Sequence, residues 1–98
     1  TGQMPTLLNN PSKLVDGGII EQTHQVMRNL ESVLINAGSS FSNVIFARVY
    51  LVNFQDFDKM NRVYERYFDS KKLPARTCIG VTGLAVGASV EIDLTAKF

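Results

Sequence analysis

Between Asn43 and Val52 the chain carries Val44, Ile45, Phe46, Val49, Tyr50, Leu51 and Val52, a run rich in β-branched and aromatic residues. Side chains alternate across a strand, so this run is apolar on both faces. A strand of that kind sits at the centre of a sheet or beneath an interface. The chain has only 98 residues, enough for one domain over 1–98. A core of that size leaves much apolar surface to be managed.

What can cover the strand is legible on either side of it. From Ile20 to Ala37 the apolar positions Ile20, Val26, Met27, Leu30, Val33, Leu34 and Ala37 recur with helical spacing. Glu21, Gln22, Gln25, Arg28, Asn29 and Glu31 fall on the other faces, and Gly38 follows as a C-terminal cap. After the strand, Asn53 can cap a second helix, with Asp56 favourable in its first turn. That helix sets Phe57, Met60, Tyr64, Tyr67 and Phe68 along one stripe and ends before Pro74. Residues 5–18, with Pro5, Asn9, Asn10, Pro11, Gly17 and Gly18, read as a loop.

Two further strands are expected, about Ala75 to Thr82 and Ser89 to Ala96, joined near Gly83 and Gly87. Arg76, Cys78 and Gly80 share one face of the first; Glu91 and Asp93 share a face of the second, with Val90, Ile92 and Leu94 opposite. The order strand, helix, strand, helix, strand, strand predicts an α+β fold, with two helices on one face of a mixed sheet.

These last strands carry the chemistry. The Arg76 guanidinium cannot shed its charge, and its fork fits a carboxylate. A small-molecule carboxylate and an internal ion pair with Glu91 or Asp93 both answer that need on residue types alone. A net charge of +1 gives no general attraction to nucleic acid or acidic membranes. The apolar runs fall short of a membrane span. The lone Cys78 fits a reducing compartment. The single His24 lacks ligand spacing and reads as a surface residue, so neither metal nor cofactor is expected.

Thr1-Gly2-Gln3-Met4-Pro5, Asn29-Leu30, Ala37-Gly38, Phe57, Asn61, Tyr64, Phe68, Pro74-Ala75-Arg76-Thr77-Cys78 and Val90-Glu91-Ile92 together resemble the Rid family, the YjgF-like reactive intermediate deaminases. The resemblance runs the length of the chain. It implies a chorismate-mutase-like fold assembled as a homotrimer, here without the family's N-terminal hairpin. It also implies a metal-independent enzyme that hydrolyses 2-imino acids, formed from enamines such as 2-aminoacrylate, to 2-keto acids and ammonia. Cytoplasm, or alternatively the mitochondrial matrix, is the implied location.

By that resemblance Arg76 holds the substrate carboxylate and Glu91 positions a water and exchanges protons with the imine. Cys78 lines the pocket, Asn61 lies near the cleft, and the backbone of Thr1 and Gly2 helps hold the water. The residues are compatible with this. An imine carbon is already electrophilic, so a placed water and one acid–base carboxylate suffice. Cys78 has no histidine near it in sequence to activate a thiolate, which favours pocket wall over nucleophile. The family usually has Leu-Pro where this chain has Leu84 and Ala85, and a small hydroxyl residue where it has Arg48. Arg48 would either enter the cleft or, on the opposite face, need a carboxylate partner or an exposed edge.

Two rival readings remain. Some Rid relatives are described as endoribonucleases or translation inhibitors, and Lys71, Lys72, Arg62 and Arg66 could form a basic patch. Asp58 and Glu65 are interleaved with those arginines, however, and the chain has neither a stacking motif nor a pair of histidines. A non-catalytic carboxylate-binding trimer would use the same pocket.

Overall fold

The computed structural model describes residues 2–98. Three short strands, β1 (Gly2–Gln3), β2 (Thr6–Leu7) and β3 (Asn10–Leu14), precede helix α1 (Ile19–Asn36). Strand β4 (Val44–Leu51), helix α2 (Phe57–Glu65), β5 (Ala75–Gly80) and β6 (Val90–Ala96) follow. The main sheet has the order β1-β6-β4-β5, with β4 and β5 parallel and the other pairs antiparallel. The run that is apolar on both faces is central, as expected.

One face of the sheet is dry. Ala47, Val49, Leu51, Val90 and Ile92 are completely buried there, packed with Val26, Met27 and Leu30 of α1 and Met60 and Tyr64 of α2. The register puts Phe46, Arg48, Tyr50, Ile79, Glu91 and Asp93 on the other face, which no helix covers. Ile45 adds to its exposed apolar surface because a bulge between Val44 and Phe46 breaks the alternation there.

Helix α1 ends as predicted. Gly38 takes φ +78°, Ser39 N–H donates to the Leu34 carbonyl at 2.8 Å, and Gly38 N–H to that of Ile35 at 3.0 Å. Asn53 accepts from Gln55 N–H and caps the short 3₁₀ turn that leads into α2.

Three expectations need correction. Residues 5–18 are not all loop, because a turn at Leu8 and Asn9 folds β2 back on β3. Gln22, Gln25 and Asn29 are buried rather than on a solvent face. Burial is possible because their amides find partners: Asn29 Nδ2 donates to the Met4 and Thr6 carbonyls, Gln22 Oε1 accepts from Ser89 N–H, and Gln25 Nε2 donates to Asn29 Oδ1. The His24 ring is not free on the surface either. Its Nδ1 lies 2.9 Å from the Tyr67 hydroxyl and the two rings meet edge to face.

Candidate functional site

Strand β5 is an edge strand, and its alternation turns Arg76 and Cys78 toward the helices while Thr77 and Ile79 face away. Arg76 reaches α2. Its guanidinium carbon stands 4.8 Å from the centre of the Tyr64 ring and 5.4 Å from that of Phe57. Nη1 donates to Asn61 Oδ1 at 2.5 Å, and Asn61 Nδ2 donates in turn to Glu65 Oε1 at 2.7 Å. Asn61 and Glu65 sit one helical turn apart, so the amide links the charge of Arg76 to a carboxylate without an ion pair.

Arg76 thus keeps most of its donors free of the described residues. Among the described residues, the single ion pair joins Arg48 Nε and Asp93 Oδ1 at 2.9 Å. The internal pairing of Arg76 with Glu91 or Asp93 is not made. Asn61, Tyr64, Glu65, Leu73, Pro74 and Arg76 line a cleft of about 250 Å³. The Tyr64 hydroxyl is buried with no hydrogen-bond partner among the described residues. Burial pushes its pKa up to about 12, with the nearby charge of Arg76 pulling the other way. Burial also raises the pKa of the half-buried Cys78 thiol, which Arg76 only partly opposes. A thiol held protonated is a poor nucleophile, and Cys78 is not among the residues that line the cleft.

Glu91 is elsewhere. It is level with Tyr50 and Ile79 on the helix-free face, whereas Arg76 is level with Ala47 and Leu94 on the helix face. Two strand spacings and three residues of rise separate their backbones by roughly 14 Å, with the side chains diverging. Strand β1 pairs Gly2 with Asp93, and this brings the Gly2 Cα against the Glu91 carboxylate. A Cβ at position 2 would collide with Glu91 Oε2. Thr1 lies outside the described residues. On the same face Asp93 accepts from Arg48 and from the Tyr50 hydroxyl at 3.3 Å, so Arg48 has its carboxylate on the open face and does not enter the Arg76 cleft.

Arg76 and Cys78 of β5 and Glu91 of β6 therefore fall on opposite faces of one sheet. Arg76, Asn61 and Cys78 form one group, and Gly2 and Glu91 another. Sequence spacing had no means of showing this, since it reports alternation within a strand but not which parity meets the helices. It also missed Glu65, for which the spacing from Asn61 was the available signal, and Phe57 as a flat partner for the guanidinium. Among the described residues, no three His, Cys, Asp or Glu side chains converge to hold a metal ion. No helix there is long and apolar enough to cross a membrane.

The whole chain, residues 1–98, matches the family model described as Endoribonuclease L-PSP. The chain belongs to the Rid family. A Rid-family protein of Yersinia pestis, YyfA, superposes with a TM-score of 0.91 at 33% identity, over 100% of this chain and 77% of its own. The E. coli protein TdcF, solved with bound serine, gives 0.88 at 25% identity, over 98% of this chain and 76% of its own. The 2-iminobutanoate/2-iminopropanoate deaminase of the goat Capra hircus is 40% identical over 84 residues. Those residues are 86% of this Rid chain and 61% of the goat protein. The α+β fold expected from the sequence is the Rid fold.

Proposed function

We propose that this Rid protein hydrolyses 2-imino acids, of the 2-iminobutanoate and 2-iminopropanoate class, to 2-keto acids and ammonia. The observation that carries the proposal is the state of Arg76. It is a half-buried, permanently charged fork in a cleft, held by a neutral amide and two aromatic faces rather than by a carboxylate. A substrate carboxylate completes it. The deaminase name of the goat relative and the serine bound by TdcF, itself a carboxylate, agree with that chemistry.

Glu91 then works as the acid–base group. It takes a proton from a water that adds to the imine carbon and gives it to the nitrogen, forming a carbinolamine. The remaining hydroxyl proton then passes by the same carboxylate to the nitrogen, so that ammonia leaves as the carbonyl forms. One chain cannot bring this about, because Arg76 and Glu91 are on opposite faces. The working unit is a homotrimer in which the Arg76 group of one copy meets the Gly2–Glu91 group of the next. That assembly also covers the apolar surface of Ile45, Val52 and Ile79 on the open face.

RNA cleavage has less to support it. The single imidazole, His24, is engaged with Tyr67 and has no second base beside it. The deciding experiment generates an enamine in situ and measures ammonia and keto acid, beside cleavage of a labelled RNA. Keto acid release without RNA cleavage is the expected result; the reverse would overturn the proposal.

A further inference from the structure

A second cleft, of about 320 Å³, opens against the connection from α2 to β5. Its lining is Phe41, Ser42, Tyr67, Phe68, Asp69 and Lys72, none of which belongs to the Arg76 or Glu91 groups. Its volume lies at the lower end of the roughly 300–1,000 Å³ range of small-molecule sites. Three half-buried rings make one wall. Phe41 stands 5.7 Å from Tyr67 and 5.2 Å from Phe68, inclined at 55° and 75°.

The rim carries opposite charges that do not meet. Asp69 and Lys72 leave one turn, closed by Lys72 N–H donating to the Asp69 carbonyl at 2.9 Å. Asp69 Oδ1 accepts from Lys71 N–H at 3.0 Å, which leaves Oδ2 available. Among the described residues, Lys72 Nζ makes neither an ion pair nor a hydrogen bond. We propose that this cleft is a binding site for a free α-amino acid with an aromatic or large apolar side chain. Its carboxylate meets Lys72, its ammonium meets Asp69, and its side chain lies on the three rings. A zwitterion satisfies both charges at once, and a ring covers apolar surface that water now wets.

The test follows ¹H–¹⁵N spectra of the full chain during titration with L-phenylalanine. Saturable shifts are expected at Ser42 and at Tyr67 to Lys72, with each of Lys72→Glu and Asp69→Asn weakening binding by ~10-fold or more. Asp69→Asn keeps an oxygen for the Lys71 N–H, so the turn survives that change and its effect reports the ammonium contact. Arg76→Ala should leave the affinity unchanged. Shifts confined to Asn61, Glu65 and Arg76, loss of binding in Arg76→Ala, or no saturable shift at millimolar ligand would overturn the site. Equal affinity for 3-phenylpropanoate or phenethylamine, each lacking one charge, would overturn the amino-acid assignment.

Discussion

In the proposed reaction Arg76 and Glu91 do different work, so substitution separates them. Arg76→Ala removes a charge-assisted contact made to substrate and transition state alike, so keto acid binding and kcat/KM should fall together. The loss should be about 1.5–3 kcal/mol, ten- to a hundredfold, and calorimetry with pyruvate or 2-ketobutyrate measures it. Unchanged binding would make Arg76 a structural partner of Asn61. Glu91→Gln keeps the shape of the side chain and removes its basicity. Keto acid binding should survive while the hydrolysis rate drops ~100-fold or more. Gly2 offers a subtler test of the same carboxylate. An alanine there needs the space that Glu91 Oε2 occupies, so the carboxylate must swing aside. Gly2→Ala should lower kcat and leave keto acid affinity intact; a parent-like rate would show that the placement of Glu91 by β1 is immaterial.

At the scale of the elements, most of the fold was readable. The helical spacing of α1 and the apolar run of β4 were unambiguous because burial imposes period and parity on them. Buried polar residues were not, since Gln25 and Asn29 look in sequence like a solvated stripe. The chain segment Met4 to Thr6, whose carbonyls accept from Asn29, explains the burial of that amide, and Gln25 in turn donates to Asn29. His24 was misread for the same reason: Tyr67, its partner, is distant in sequence. The surroundings of His24 have a pH signature. Burial, and then the charges of Arg28 and Arg66, lower the His24 pKa below 6.5, with Glu21 opposing them. The unfolded chain therefore binds the proton more readily. Stability is full above the unfolded value and declines as pH falls through about 6.5 toward the lowered one. Denaturation midpoints should drop between about pH 7.5 and 5.5 in the parent, and His24→Gln should flatten that step. An unchanged step would assign it to other groups. The turn before β6 holds a different strain. Val86 sits at φ +54°, a left-handed conformation that a β-branched residue adopts at a cost, and the residue is 49% exposed. Val86→Asn should raise the unfolding free energy by about 0.5–1 kcal/mol, and an unaltered thermal midpoint would deny the strain.

For the whole molecule, the division of the site decides how it can be tested. Sequence alternation placed Arg76 and Glu91 on adjacent-looking polar faces. Only the register and the side on which α1 and α2 pack reveal that one chain holds the Arg76 group and the Gly2–Glu91 group on opposite faces of its sheet, two half-sites in the proposed reaction. If copies join these halves in a ring, each site takes Arg76 from one copy and Glu91 from its neighbour. Arg76→Ala and Glu91→Gln proteins should each be nearly inactive alone. In a mixed ring, a site is intact wherever the Glu91→Gln copy supplies the arginine and the Arg76→Ala copy supplies the glutamate. Every mixed trimer has one such junction, and random mixing of equal amounts makes three-quarters of trimers mixed, so about a quarter of all sites recover. Co-refolding the two inactive proteins should thus restore ~25% of the parent's imine hydrolysis, and mixing without subunit exchange should restore none. Light scattering must show the same assembly size for all three preparations. No recovery from a co-refolded trimer would mean that both residues serve a site within one chain, against the opposed faces that motivate the prediction.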